Sequence, residues 1–417
     1  MPNYQTPGVY VEEISGGSKP IEAGATNIVG FLGVAEKGPV NEAVLVTNWT
    51  QYTSIFGDMH SNGWLGHAVY LFFQNGGSKC YINNLLELKD SSNAAKEEPK
   101  QEAKADEKKD VKDTVKGSTN SDMSNVNIEN PPNLTSLIIG KDEGPGKRSG
   151  LCLFDEISDI SIICAPGVVD AASQDAILSH CEKNRFRVAV LDSQESLEKG
   201  LDTMPMPRDS MMGAYYFPWI QMYDPILEQD VFVPPSGGVA GIWGRVDSTR
   251  GVHKAPANEI FRGATGLKYN LTDNEQELLN PKGINCIREF VGKGIRIWGA
   301  RTFSSDPEWR YLNVRRLFCM VEQAIQEGTS WIVFEPNTRD LWKKITRNLT
   351  AFLLRIWKSG ALFGDTPEEA FYVRCDDELN PPESIDAGYV ICEIGLAPAK
   401  PAEFVVFRVT QKTIGEE

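Results

Sequence analysis

The sequence predicts an α/β protein built around a parallel β-sheet and divided into two folded domains. The 417 residues exceed what one ordinary hydrophobic core holds, and 41% of them are hydrophobic, which is enough to fill two cores. An apolar run at 159–164, a helical segment from about 171 to 183 and a second apolar run at 187–191 follow one another closely. Strand, helix and strand at this spacing form a βαβ unit, whose two strands are parallel.

Alternating apolar runs and turn residues predict the other elements in chain order. The predicted strands are 27–35, 44–47, 79–83, 215–220, 284–290, 295–299, 331–334, 370–375, 389–397 and 403–410. The predicted helices are 64–73, a segment that follows 234–238 and ends near 249, a short one after 271–273, and two long ones at about 308–327 and 338–357. Regular structure therefore continues almost to the end of the sequence.

One stretch departs from this pattern. Residues 96–116 hold seven lysines and seven acidic residues, with almost nothing apolar to bury. Such a composition cannot offset the entropy lost on ordering, so we expect a solvated, mobile insertion over roughly 88–132. A single salt-laced helix over part of it is the alternative, because Lys and Glu are good helix formers.

Charge and composition exclude several classes of function. The net charge of -15 repels phosphate backbones and anionic lipid head groups, so we expect neither nucleic-acid binding nor direct membrane binding. The sequence offers no secretory signal and no apolar run of roughly 18 residues, which favours assembly in the cytoplasm. The eight cysteines include no CxxC spacing, and Cys164 and Cys392 lie in apolar runs, which predicts buried, reduced thiols.

No local motif indicates catalysis, a cofactor or a metal. Residues 144–149 suggest a phosphate-binding loop, but position 141 is lysine where glycine is needed, and Arg148 occupies the Ser/Thr place. The four histidines form no HExxH or HxH arrangement, and no serine lies in a G-x-S-x-G turn. A Ser/His/Asp site assembled from distant residues remains the enzyme alternative.

The two ends of the sequence both read as extended segments. Residues 403–409 are apolar on both faces and expect cover on both, while 9–14 form a short arm before a flexible Ser-Gly-Gly-Ser at 15–18. Strand addition between subunits fits this pair of features, and pairing within one chain is the alternative. The residues assigned to the exchange are Val9, Tyr10, Val11, Phe404, Val405, Val406, Phe407, Arg408 and Val409.

The predicted helix at 338–357 carries two stripes. Its apolar stripe, which we expect to pack on the core, consists of Leu341, Ile345, Leu349, Phe352 and Ile356. A basic ridge is here defined as Arg339, Lys343 and Arg347, which follow four-residue spacing, together with Lys344 beside them. The ridge is either a solvated face or a local docking surface in an otherwise acidic protein.

Several blocks, taken in order, resemble the tail sheath proteins of contractile phages and related injection systems. The N-terminal TPGVYVEE at 6–13 is similar to the family's arm, and VGKGIRIWGART at 291–302 is similar to its strongest signature. The other blocks are GFLG at 30–33, KGP at 37–39, FFQNGG at 72–77, KAPAN at 254–258, EWRY at 308–311, NVRRLF at 313–318, WIVFEPN at 331–337, GAL at 360–362 and PAEFV at 401–405. Together they span nearly the whole chain except about 86–150.

The resemblance implies a division of the chain. It implies an exchange arm at 1–22, an outer subtilisin-like α/β domain from 23–85 and 150–282, a peripheral insertion at 86–149, and an inner α+β domain at 283–417 that ends in an exchange strand. "Subtilisin-like" describes the fold only, and a serine hydrolase using that domain is the alternative function.

The resemblance also implies a function. Sheath subunits stack as hexameric rings around an inner tube and contract to propel it through a target envelope, without acting as enzymes. The implied partners are further copies of the chain, the inner tube protein, which the basic ridge would contact, and baseplate and terminator or cap proteins. The particle would be either released from the cell or anchored at a membrane.

Overall fold

The computed structural model describes residues 21–60, 63–87, 134–197 and 200–407. The strands of these residues form three sheets. They are Ile28–Ala35 (β1), Val44–Val46 (β2), Lys79–Glu87 (β3), Ile162–Cys164 (β4), Val188–Asp192 (β5), Gly213–Phe217 (β6), Ile220–Asp224 (β7), Gln229–Val233 (β8), Glu259–Ile260 (β9), Gly266–Leu267 (β10), Ile284–Phe290 (β11), Gly294–Ile297 (β12), Phe371–Arg374 (β13) and Glu393–Leu396 (β14). The helices are Trp49–Phe56 (α1), Leu65–Gln74 (α2), Leu134–Ile139 (α3), Ala171–Asn184 (α4), Ser236–Arg250 (α5), Asp273–Leu279 (α6), Leu312–Gly328 (α7), Arg339–Lys358 (α8), Pro367–Ala370 (α9) and Pro382–Asp386 (α10).

A nine-stranded mixed sheet dominates the fold, in the order β2-β3-β1-β4-β5-β6-β11-β12-β9. The six strands from β3 to β11 run parallel, and the pairs at the two ends of the sheet are antiparallel. The predicted βαβ unit is confirmed, since β4 and β5 pair in parallel on either side of α4. Every residue of β4, β5 and β6 is buried, as expected for parallel strands covered on both faces.

Helices α2 and α5 pack against each other at very close range. A Cβ atom added to Gly237 would lie 2.3 Å from the carbonyl oxygen of Ala68, and one added to Gly241 would lie 2.4 Å from that of Phe72. Only glycine leaves room for this approach of two backbones. Gly237 and Gly241, which weaken a helix by propensity, are therefore required by its packing.

A second hydrophobic core gathers α8, the β13–β14 sheet and one side of α7. Helix α7 belongs to both cores, because Leu312 and Cys319 pack in the first, whereas Leu317, Val321 and Ala324 pack in the second. The boundary predicted at 283 falls directly before β11, yet the large sheet continues through β11 and β12. Residues 284–297 are thus part of the nine-stranded sheet, and the two cores meet in α7.

One of the predicted strands is wrong in the structure, and another, predicted to pair between subunits, is unpaired within the described residues. Residues 331–334 contain instead the end of a 3₁₀ turn, Ser330–Ile332, followed by Phe334 at φ +69°. Residues 403–407 adopt no regular secondary structure, and 408–410 lie outside the described residues. Apolar and β-branched runs have high strand propensity, but a strand also needs a partner, and neither segment has one among the described residues.

A buried ion pair joins the two cores. From α7, Arg316 donates to both carboxylate oxygens of Asp247 in α5, at 2.9 and 2.5 Å, and to the carbonyl oxygen of Thr26 at 3.0 Å. The Thr26 hydroxyl donates to Asp247 at 2.6 Å, and the guanidinium lies 4.7 Å above the ring of Trp243. Both charged side chains are only 4% exposed, so each supplies the counter-charge and hydrogen bonds that water cannot supply there.

We predict that Asp247→Ala lowers the free energy of unfolding by about 3–5 kcal/mol, because the buried guanidinium of Arg316 loses its counter-charge. Denaturant unfolding followed by circular dichroism measures this. Asp377→Ala is the matched control, since it breaks an Arg339–Asp377 pair that is mostly exposed and should cost at most about 1 kcal/mol. Equal, small losses in both variants would contradict a structural role for the buried pair.

Candidate functional site

The last described segment of the chain is fastened at Glu403. Arg301 donates from Nε and Nη2 to the two carboxylate oxygens, at 2.8 and 2.6 Å. Asn280 donates to the same carboxylate at 2.9 Å, and the hydroxyl of Tyr311 does so at 3.3 Å. We call these four residues the Glu403 clasp. It ties the C-terminal segment to the end of α6 and to the loop before α7.

The clasp holds Glu403 as a carboxylate. Partial burial alone would raise the pKa of Glu403, but hydrogen bonds from Arg301 and Asn280 and the charge of Arg301 outweigh it, so the pKa is lowered overall. Arg301 is only 8% exposed. Each member of the pair therefore depends on the other, because a neutral Glu403 would leave the nearly buried guanidinium of Arg301 without a counter-charge.

Beyond the clasp, four apolar side chains face solvent. Phe404, Val405, Val406 and Phe407 are 75%, 66%, 79% and 85% exposed. Soluble chains rarely expose a contiguous apolar run of this kind unless it contacts a partner. The clasp anchors the residue directly before this run, and the side chains of the run remain accessible to a partner.

The two-stranded β13–β14 sheet has open edges among the described residues. Its pairing runs from Phe371–Leu396 to Arg374–Glu393, and its inner face packs on the second core. An isolated pair of strands is marginally stable, and unpaired edge groups form a template for further strands. This small sheet is therefore suited to accept additional strands.

The basic ridge lies on the outer face of α8. Arg339, Lys343, Lys344 and Arg347 are all exposed, while the apolar stripe of the same helix is buried as predicted. Arg339 pairs with Asp377 at 2.9 Å, and Lys343 lies 3.7 Å from Asp340. No ion pair to Lys344 or Arg347 occurs within the described part of the chain.

A strained apolar loop precedes the ridge. Phe334 is fully exposed and has φ +69°, a conformation that costs a non-glycine residue about 1–3 kcal/mol. Asn337 holds the loop by donating to the carbonyl oxygen of Tyr389 at 2.9 Å and by accepting from the indole of Trp342 at 2.8 Å. This loop could not be predicted from the sequence, because residues 331–334 form an apolar run that is typical of a strand.

Two family models match consecutive parts of the chain. The phage tail sheath protein central domain matches residues 153–303, and the phage tail sheath C-terminal domain matches residues 304–412. The chain belongs to the phage tail sheath family. The border between the two matches falls shortly before α7, the helix that this sheath-family chain shares between its two cores.

Relatives and solved structures agree with this membership. A putative prophage major tail sheath protein of Pseudomonas aeruginosa is 29% identical over 293 residues, covering 67% of this chain and 74% of the relative. The sheath complex of the extracellular contractile injection system PVC, solved in its contracted state, matches with a TM-score of 0.73 at 26% identity, covering 99% of each chain. A chain of the anti-feeding prophage baseplate matches with a TM-score of 0.69 at 28% identity, covering 98% of this chain and all of that one.

Among the described residues of this sheath chain, one buried pair joins a serine to an aspartate and a separate buried pair joins a histidine to another aspartate. Ser236, at the start of α5, donates from its hydroxyl to Asp192 at 2.6 Å and from its backbone N–H at 2.9 Å. His67 bonds instead to Asp224, at 2.8 Å. Ser236 is fully buried, so its hydroxyl is neither activated by an imidazole nor open to a substrate.

The described residues offer neither a metal-ligand cluster nor a membrane-crossing helix. They contain no group of three or more His, Cys, Asp and Glu side chains placed to hold a metal. None of their helices is long and apolar enough to cross a membrane. Cys164 is buried as predicted, whereas Cys392 is only half-buried.

The predicted exchange residues divide between described and undescribed parts of the chain. Val9, Tyr10, Val11, Arg408 and Val409 lie outside the described residues, as does most of the Lys/Glu-rich insertion. Phe404–Phe407 and the basic ridge lie inside them. The sequence did not predict the Glu403 clasp, because Arg301 and Glu403 are 102 positions apart and no local pattern indicates that the two side chains pair.

We predict that Glu403→Gln speeds hydrogen exchange of peptides covering 397–407 by about tenfold to a hundredfold, since a hydrogen-bonded charge pair contributes about 1.5–3 kcal/mol. Because the pKa of Glu403 is lowered in the folded chain, its contribution is present above the unfolded glutamate pKa of about 4.3 and is lost as the pH falls further.

The wild-type segment should therefore loosen in that acidic window, while the Glu403→Gln variant shows no such transition. Glu277→Gln, an exposed site on α6, is the matched control and should behave as wild type. Identical exchange in all three proteins would rule out the clasp as an anchor.

Proposed function

We propose that the chain is the contractile sheath subunit of a phage-like injection system. Subunits polymerise as stacked hexameric rings around an inner tube, and contraction of the polymer drives the tube through a target envelope. The observation that carries this proposal is the run Phe404–Phe407, which is exposed, apolar and anchored at the Glu403 clasp. Similarity over 99% of the chain to a sheath solved in the contracted state supports it.

In this function the terminal segments exchange between neighbouring subunits. In a strand, Phe404 and Val406 would face one side and Val405 and Phe407 the other, so the strand needs apolar cover on both faces. The open edges of β13–β14 in a neighbour supply the main-chain partners, and the segment of Val9, Tyr10 and Val11 would add in the same way. Such a contact joins different surfaces, so it propagates along a polymer instead of closing a dimer.

The energy of contraction would lie in the lattice. If contraction buried some 400 Å² more apolar surface per subunit, the gross gain would be on the order of 10 kcal/mol, before ordering costs reduce it. Many subunits multiply this gain, and no nucleotide is consumed at firing. Exchanged strands keep neighbours connected while the bodies rotate.

The basic ridge is the proposed contact with the inner tube. Its four cations are exposed, in a chain whose net charge is -15. Exposed ion pairs contribute only about 0 to 1 kcal/mol each. A tube with an acidic surface would be held in register before firing and would be released without a large barrier.

The remaining expectations follow from the same role. The subunit acts as a structural protein and not as an enzyme, because the buried Ser236–Asp192 pair offers no nucleophile. Its partners are further copies of itself, the inner tube, and baseplate and terminator or cap proteins. Assembly takes place in the cytoplasm, and the finished particle is extracellular or anchored at a membrane.

We predict that two truncations, one lacking residues 1–14 and one lacking 404–417, fold normally but form no sheaths. The first keeps Ile21, whose side chain is buried in the second core and whose carbonyl oxygen accepts from Arg355. The second keeps the whole Glu403 clasp. Thermal unfolding checks the fold, and negative-stain microscopy checks assembly.

Tubular sheaths from either truncated protein would refute the assignment of that arm. Closed shells from the full-length chain would instead point to a capsid-like protein and refute the sheath function itself. Labelling of a serine by a fluorophosphonate probe would support the hydrolase alternative.

We also predict that the double variant Lys343→Glu and Lys344→Glu polymerises but loses its attachment to purified inner tubes, because two cations become anions at the ridge. Co-sedimentation with tubes at low and physiological salt measures this. The matched control is Lys141→Glu with Lys147→Glu, which makes the same charge change at exposed sites on the first core. Equal tube binding by both double variants would exclude the ridge as the tube contact.

A further inference from the structure

Two cysteines lie opposite each other at the end of the β13–β14 sheet. Arg374 pairs with Glu393 in the antiparallel register, so the next pair in the ladder is Cys375 and Cys392. Each thiol is close enough to shift the pKa of the other, and both are free in the structure. Among the eight cysteines of the chain, this is a pair set side by side by backbone pairing.

The kind of pairing decides whether the two sulfurs can be joined. Ala397 donates its backbone N–H to the carbonyl oxygen of Ala370, which makes that pair a hydrogen-bonded one. Hydrogen-bonded and non-hydrogen-bonded pairs alternate along an antiparallel ladder, so Cys375 and Cys392 form a non-hydrogen-bonded pair. Such pairs bring Cα atoms to about 4.5 Å, inside the range of about 4.4–6.8 Å that disulfides accept.

The surroundings hold the pair in place. Both cysteines point to the same face as Phe371, toward the second core, and both are half-buried. Asn380, itself 1% exposed, bonds to the backbone of Ile391 in both directions, at 2.7 and 2.9 Å, and its amide lies 3.8 Å from the sulfur of Cys375. The loop between the two cysteines is thereby fastened beside the cysteine pair.

We propose that Cys375 and Cys392 are a redox modification site and form an intrachain disulfide when the protein meets a small-molecule disulfide such as oxidised glutathione. One cysteine loses its proton and attacks the oxidant, forming a mixed disulfide and releasing one glutathione thiolate. The second cysteine then loses its proton, attacks the protein sulfur of that mixed disulfide and releases the second glutathione thiolate. The two protons end on the two reduced glutathiones, so the oxidant gains the two electrons that the cysteine pair loses.

The order and pace of this reaction follow from the two sites. Burial raises the pKa of both thiols, to about 12 for Cys392, whereas hydrogen bonds offset part of the rise at Cys375. The Cys375 thiol is therefore the more readily deprotonated of the two. The thiolate fraction is small, so the pair oxidises slowly. In a reducing compartment the excess of reduced thiol keeps the pair reduced.

The crosslink would staple the small sheet. It closes the loop between the strands and holds β13 and β14 together where the two strands diverge. Its role, although not its formation, rests on the proposed function, in which this sheet accepts strands from neighbours. With the disulfide formed, β13 and β14 would stay joined when strands from neighbouring subunits pair with them.

The test uses the purified full-length chain at pH 8, incubated folded overnight with either oxidised or reduced glutathione, and then denatured and blocked with N-ethylmaleimide so that the buried cysteines are also capped. After subsequent reduction, the oxidised sample should show two newly released thiols and the reduced sample none. Cleavage after Glu383 separates the two cysteines, so mass spectrometry should find two peptides joined only by this disulfide. Proteolysis within 376–391 should be slowed at least about tenfold in the oxidised protein.

Cys392→Ser should abolish the linked peptide, whereas Cys152→Ser, at another half-buried cysteine, should leave it unchanged. No newly released thiols in the folded wild-type chain, or a linkage formed only after prior unfolding, would overturn the proposal. Sheath assembly is scored separately by microscopy, and Cys392→Ser is expected to assemble. A failure of strand exchange is therefore distinguishable from a failure of the disulfide.

Discussion

The buried contact of Arg316, Asp247 and Thr26 is the constraint on which the rest of the molecule depends. It joins the start of the described chain, the glycine-lined α5 of the first core and the shared helix α7. Taking two charges out of water is costly, and this cost is offset only when both are fully hydrogen-bonded to each other and their neighbours. The geometry tolerates little displacement, so the two cores are held together at α7.

Contacts become weaker from this centre to the surface. The Arg316–Asp247 pair is almost fully buried, the Arg301–Glu403 pair is partly exposed, and the ridge cations are open to water. Since screening by water weakens an ion pair, the same chemistry gives a strong joint in the interior, an intermediate anchor at the Glu403 clasp and only weak interactions at the ridge. The fold of the subunit therefore depends on the buried pair and not on the charges at its surface.

How much could be predicted depended on how local the signal was. The βαβ unit and the apolar stripe of α8 followed from residue spacing alone, because period and burial are tied within one element. The clasp joins residues far apart in the chain, so no local pattern reveals it. Residues 331–334 were misread as a strand, because strand propensity reports a preference for pairing and not the presence of a partner. Residues 403–407 have the same propensity and no partner within the described residues.

Open strand edges and an exposed apolar run are an aggregation hazard, and the C-terminal part of the chain limits it in three ways. Both strands of the small sheet have only four residues, and charged Arg374 and Glu393 stand at their ends. The Glu403 clasp restricts the directions in which Phe404–Phe407 can leave the body. Short, charged edges disfavour random pairing, and an anchored run reaches few geometries, so chance association between chains is limited.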